Sequence, residues 1–191
     1  MTHRSLRFLI VLTAAIYPFI AVASTSPDCT PTAPYYGATF SYAATAKEPP
    51  NLHGYQIMFD YDPQRFKWRK FNVYFDAGYS HFTDSNTPYY STISIYSIAP
   101  VARYSFRKRG PFQPFLDLSI GLSYLNHTHF EDRNLGIHFA FQDRAGVGVL
   151  LGTDRQASVG IHAVHYSNAH LSNHNSGITI PLVLDVSYRF Q

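Results

Sequence analysis

Cysteine occurs once in the 191 residues, at Cys29, so no intramolecular disulfide is available. The residues before it, Ser26-Pro27-Asp28, are not the small and apolar ones that precede a lipidated cysteine, and it reads as a free thiol in an N-terminal arm. Charge is scarce: Asp, Glu, Lys and Arg together make up 14% of the chain, with a formal net charge of +3. Two short basic clusters, around Arg65–Lys70 and Arg107–Arg109, fall where turns are expected and read as solvated turn charges. Nucleic acid is therefore not an expected partner. Beyond the N-terminus there is no apolar run long enough to cross a membrane as a helix, which excludes a helical membrane bundle.

The N-terminus itself has a short basic region (Arg4, Arg7), an apolar core over Phe8–Ile20 and the small-residue site Ala21-Val22-Ala23. This is the pattern of a secretory signal peptide, expected over residues 1–23. A flexible arm over 24–34 and one domain over 35–191 are expected to follow. What the chain has in abundance is aromatic residues, 15 Tyr and 15 Phe. In an exported chain without a second hydrophobic span, that profile predicts a transmembrane β-barrel.

Alternating and apolar runs bounded by turn residues predict eight strands: Tyr35–Thr45, His53–Tyr61, Phe71–Phe82, Thr92–Phe106, Phe112–Leu125, Ile137–Leu151, Ala157–Ser167 and Ile178–Phe190. Pro100 inside the fourth is expected to mark a bulge or bend. The connections alternate between compact turns and longer polar loops, as in bacterial barrels with both termini in the periplasm. The expected fold class is all-β: an eight-stranded antiparallel transmembrane β-barrel. A soluble lipocalin-type barrel would share the periodicity but face its apolar residues inward. The membrane form is favoured because one strand face carries Asp76, Asp117, Arg144, Asp185 and Arg189, charges that can pair in a small lumen. The other face has aromatics near both strand ends, as membrane girdles do. On the last strand Ile180, Leu182, Leu184, Val186, Tyr188 and Phe190 are expected on the lipid face. The Tyr188 and Phe190 pair resembles the C-terminal signal of outer-membrane barrels, although Gln191 follows.

The seventh strand carries the chemistry. Residues two apart share a strand face, so His165 and Ser167 point the same way, in line with the apolar Val159 and Ile161. That places a base and a hydroxyl on the lipid face at the strand's outer end. A serine hydroxyl needs a neighbouring base to become a nucleophile, and Asn168 and Asn175 are nearby amide donors for an oxyanion. The arrangement points to hydrolysis of a lipid ester.

HYSNA at 165–169 followed by Asn175-Ser176-Gly177 resembles the H-x-SNA…N-x-G signature of the PagL-type lipid A 3-O-deacylases. GIHFAFQDRAGVG at 136–148 resembles that family's F-x-F-[ED]-D-R-x-G-x-G segment, with Gln142 in the variable acidic place. The resemblance implies an outer-membrane enzyme that removes the ester-linked 3-hydroxyacyl chain at position 3 of lipid A. Ser167 would be its nucleophile, His165 its general base, and Asn168, ahead of Asn175, its oxyanion donor. It implies no metal and no other cofactor. Expected partners are lipid A within lipopolysaccharide and the surrounding outer-membrane lipids; whether the chain forms a homodimer stays open.

One position departs from the family, whose third catalytic residue is a glutamate twelve residues after the serine. Here that place holds Thr179, which can orient an imidazole but cannot offset its charge. If the turn 152–156 pairs Leu151 with Ala157, Asp143 falls opposite His165 and becomes a candidate substitute acid. The alternatives for Asp143 are pairing with Arg144 or a loop, or a bulge that turns it inward. The histidines at 162, 170 and 174 do not form a preorganised metal site, since His162 has the opposite parity and the other two sit in a loop. Two readings follow: a lipid A esterase, or a weakened or silent barrel with a structural or lipopolysaccharide-binding role.

Overall fold

The computed structural model describes residues 33–45, 51–85 and 89–190. The expected signal peptide and all but the end of the expected arm lie outside the described residues. Eight long strands form the barrel: β1 (Tyr35–Thr45), β2 (Leu52–Asp62), β3 (Phe71–Asp84), β4 (Thr92–Ser105), β5 (Phe112–Leu125), β6 (Phe139–Leu151), β7 (Ala157–Ser167) and β8 (Ile178–Phe190). Each pairs antiparallel with its sequence neighbours, and β1 pairs with β8 to close the sheet. Closure leaves no strand edge, the condition for placing a sheet in lipid. The eight-stranded barrel read from the sequence is thus the observed fold. The last strand-forming stretches begin slightly later or end slightly sooner than expected at β4 and β6, and three two-residue ribbons add to the turns and loops. One is Lys67–Trp68 against Phe71–Asn72; the others form a hairpin, His129–Phe130 with Arg133–Asn134.

Pro100 does not mark a bulge. β4 keeps one register with β3 through Phe75–Pro100, and keeps one register with β5 on either side of Ala99–Pro100. The lost N–H merely interrupts the β5 ladder there. The real bulge lies at the other proline. Between the pairs His162–Val183 and Val164–Ile180, the two residues Pro181 and Leu182 stand opposite Ala163 alone. A bulge of this kind reverses side-chain parity along one strand. Val183 and Asp185 point inward below it, and so does Ile180, fully buried, above it. Ile180 is therefore not on the lipid face, as unbroken alternation had implied.

The barrel is inverted relative to a soluble one. Its outer surface presents Phe40, Phe59, Ile98, Ile120, Val186 and Tyr188, each 54–64% exposed, in a broad apolar band. Its interior holds the charges. Arg103 donates to both Asp117 oxygens, at 2.8 and 2.6 Å, and stacks 3.8 Å over the Phe115 ring. Arg144 pairs with Asp76, and His162 Nδ1 lies 2.7 Å from Asp185. Desolvated charges of this kind are tolerated only when paired, so the expected lumenal pairing is what the barrel contains.

The loop end of the interior is different. Phe82, Ile93, Ile95, Leu125, Tyr166 and Ile178, all nearly or fully buried, form an apolar plug there, continued by Phe130 and Leu135 from the β5–β6 loop. The interior is thus layered, with ion pairs toward the turns and hydrocarbon beneath the long loops. This plug supports the strand ends that carry the candidate site.

Candidate active site

His165 and Ser167 lie on the outward face of β7, both half-buried, at the loop end. Tyr166 between them points inward. Its hydroxyl accepts from Gln56 Nε2 at 3.0 Å and Gln142 Nε2 at 2.9 Å, and its ring packs against Phe82. The middle residue of His-Tyr-Ser is therefore a plug anchor, and the alternation of β7 makes the outward pair a direct consequence of it.

The β8 bulge decides what faces His165. Thr179 is the ladder partner of His165, and its Oγ1 lies 2.9 Å from His165 Nδ1. Without the parity change at Pro181–Leu182, position 179 would share the lumenal face with Val183 and Asp185. On the other side the ladder pairs His165 with Asp143, as the 152–156 turn had implied. Asp143 is exposed on the same outward face, but among the described residues no hydrogen bond or ion pair joins it to His165. The ring has turned Nδ1 toward β8 and its hydroxyl instead. Among the described residues Ser167 Oγ likewise makes no hydrogen bond to His165, although the two share a face.

Gly177 shapes the far edge of the imidazole. It has φ +63°, and a Cβ there would stand 3.1 Å from His165 Cε1 and 3.6 Å from Nε2. The glycine of Asn-x-Gly is thus required twice, for a left-handed turn and for clearance beside the ring.

Asn168 does not present its amide outward. It is 2% exposed, and its Nδ2 donates to Leu135 O (2.8 Å), His174 O (2.7 Å) and Ser172 Oγ (3.2 Å). The residue ties the β7–β8 loop to the β5–β6 loop. Arg133, donating to Ser176 O and Gly177 O, adds a second tie. Asn175 has the freer amide. Its Oδ1 accepts from the Asn168 backbone N–H at 2.8 Å, which orients the side chain. Among the described residues its Nδ2 has one hydrogen-bond partner, His170 Nδ1, at 3.4 Å. The backbone at Ala169 and His170 is left-handed, with φ of 51° and 62°, so the chain turns sharply right after the serine. The role of the long β5–β6 loop in holding this turn was not legible in the sequence; in the structure Gly136 has φ +79°, and a Cβ there would collide with Ser172 Oγ.

His162 faces the lumen, with Nε2 3.2 Å from Gln56 Oε1, whereas His170 and His174 are exposed on the loop.

A family model described as lipid A 3-O-deacylase (PagL) matches residues 53–189. The lipid A deacylase PagL of Pseudomonas aeruginosa is 33% identical over 130 residues, covering 65% of this chain and 71% of that protein. The lipid A deacylase PagL of Bordetella bronchiseptica is 32% identical over 76 residues, covering 40% of this chain and 41% of that protein. Among solved structures, the outer membrane enzyme PagL aligns with a TM-score of 0.61 at 27% identity, over 83% of this chain and 99% of that one. Neisserial surface protein A aligns with a TM-score of 0.54 at 14% identity, over 83% of this chain and 98% of that one, a likeness of fold alone.

Proposed function

The chain belongs to the lipid A 3-O-deacylase (PagL) family and is an outer-membrane β-barrel; from that premise we propose that it hydrolyses the ester-linked 3-hydroxyacyl chain at position 3 of lipid A. The observation that carries this reading is the outward pair His165 and Ser167 at the loop end of β7, with the imidazole already held from behind by Thr179. With Nδ1–H donating to Thr179 Oγ1, Nε2 keeps its lone pair and is the ring's basic atom. It takes the Ser167 proton as Oγ attacks the acyl carbonyl, and then delivers it to the departing sugar oxygen. The hydrogen bond from Ser167 to Nε2 is made as substrate closes over the pair, since catalytic contacts commonly tighten in the bound complex.

The oxyanion donor is assigned to Asn175 rather than Asn168, because the Asn168 amide is spent on loop carbonyls while Asn175 is oriented with its Nδ2 nearly free. Asn168 is a positioning residue. Asp143, one strand away, contributes negative charge near the imidazole without bonding to it. Water completes the cycle by hydrolysing the acyl-serine.

A second reading is favoured by one observation, the hydroxyl at position 179. Without a carboxylate on Nδ1 the developing imidazolium is poorly offset, and the barrel would bind lipopolysaccharide with little turnover. One experiment separates the two. The full chain is expressed in an outer membrane beside Ser167→Ala, and lipid A is analysed by mass spectrometry. Loss of a single 3-hydroxyacyl group in the first strain alone supports the esterase. Identical lipid A in both strains supports the silent barrel.

A further inference from the structure

The cations of this barrel are sorted by kind. Twelve lysines and arginines fall among the described residues. All but Arg133 sit in the turns at the β2–β3, β4–β5 and β6–β7 end or inside the lumen. Histidines do the reverse. Of the nine described, eight lie at the loop end and only His162 is lumenal. Five of them, His127, His129, His138, His170 and His174, are exposed on or beside the two long loops that Asn168 and Arg133 tie together. His53 and His81 stand at the adjoining ends of β2 and β3. Among the described residues one end is permanently basic, and the other is basic only when imidazoles are protonated.

Among the described residues the acidic groups at this end are Glu131 and Asp132 on the β5–β6 loop, Asp84 at the end of β3, and Asp143 on β6, and Arg133 is the one fixed cation. With neutral histidines this rim has a net charge of −3 among the described residues. Protonation of its eight histidines reverses that sign. Glu131 acts in the same sense: partial burial and the neighbouring Asp84 and Asp132 carboxylates hold its carboxyl above the ordinary glutamate range, so it loses charge early as pH falls.

We propose that the histidine rim is a binding surface for the phosphate-bearing headgroups of lipids in the surrounding leaflet, switched on by mild acidity. Imidazoles are the side chains whose charge changes between about pH 5 and 8. Exposed charges act over a Debye length of about 8–10 Å, so an anionic headgroup at the rim responds to the imidazoles nearest it. The neutral-pH rim repels the same headgroup. This surface does not require ester hydrolysis, so it is separable from the catalytic reading.

The probe is dihexanoyl phosphatidylglycerol, whose phosphodiester does not itself titrate in this range. It is added to the full chain in an uncharged detergent and followed by isothermal titration calorimetry, with dihexanoyl phosphatidylcholine as the zwitterionic control. Binding of the anionic lipid should tighten about tenfold or more from about pH 7.5 to about pH 5.5, across the imidazole range. The zwitterionic lipid should show no such change. The triple variant H127Q/H129Q/H174Q should lose most of the gain. H127K/H129K/H174K should bind at the higher pH as tightly as the parent does at the lower, which guards against a glutamine variant that misfolds. Equal affinity at both pH values, or a gain undiminished in the glutamine variant, overturns the proposal. Inorganic phosphate producing the same tightening and competing at equal concentration also overturns it, because the site would then be one for free anions.

Discussion

Replacing Thr179 by glutamate tests the site at its weakest point. Thr179 Oγ1 is 2.9 Å from His165 Nδ1, so a carboxylate at this ladder position reaches the same nitrogen from the same strand. Two opposite unit charges about 4 Å apart attract by about 4 kcal/mol at an effective dielectric constant near 20. At about 1.4 kcal/mol per decade that is close to three decades in rate. Both side chains are half-buried, so solvent screens part of this, and a gain of about 10- to 100-fold in kcat is expected. KM should stay nearly constant, because the carboxylate favours the imidazolium of the transition state and leaves substrate binding alone. For scale, neutralising the acid of a serine protease triad costs about 10⁴ in kcat. The assay is release of 3-hydroxy fatty acid from purified lipopolysaccharide in mixed micelles, with thermal unfolding run beside it. Asp143→Asn should slow the parent a few-fold, since a charge one strand away is lost, yet hardly affect Thr179→Glu, where the nearer carboxylate dominates. A folded Thr179→Glu variant with unchanged or lower kcat refutes the reasoning: charge at Nδ1 would not then limit the reaction.

Gly177→Ala should cost about 1–2 kcal/mol for the left-handed backbone and push the imidazole from its place, lowering kcat about tenfold or more; a variant with parental kcat would show the ring is not confined there. Tyr166→Phe should leave Gln142 Nε2 without its partner inside the plug and destabilise the barrel by about 1–3 kcal/mol in a denaturant titration. Arg103→Met strands the Asp117 carboxylate and should cost about 3–5 kcal/mol, a loss that raising ionic strength does not restore because the pair is buried; a midpoint unchanged from the parent would contradict the paired-lumen picture.

Most of the barrel was legible because its strands obey a period of two and its turns are short. β1, β5, β7 and β8 begin and end where the apolar runs do, and the compact 152–156 turn sets the β6–β7 register that opposes Asp143 to His165. What escaped was parity beyond an interruption. Pro100 and Pro181 look alike in sequence, yet only the second has an extra residue beside it, and alternation alone cannot tell a skipped hydrogen bond from a shifted ladder. That is why Ile180 was placed on the wrong face. The layering of the lumen escaped for another reason. Val164, Tyr166 and Phe82 occupy positions whose inward direction was legible, but a polar interior was assumed along its full height. In the candidate site, the residue types of His165, Ser167 and Gly177 were informative because strand and turn geometry constrain them locally. The division of labour between Asn168 and Asn175 was not, since it depends in part on a carbonyl 33 residues away on the β5–β6 loop, that of Leu135.

The apolar plug has a consequence for the membrane that holds the barrel. Hydrated ions and small polar solutes crossing through the lumen would have to pass a layer of fully buried Phe82, Ile93, Ile95 and Ile178, below which every carboxylate–arginine pair would need to be pulled apart. Such a pore does not conduct. A cell can therefore carry many copies without eroding the permeability barrier that its outer leaflet provides, and a planar bilayer containing the purified chain should remain electrically silent.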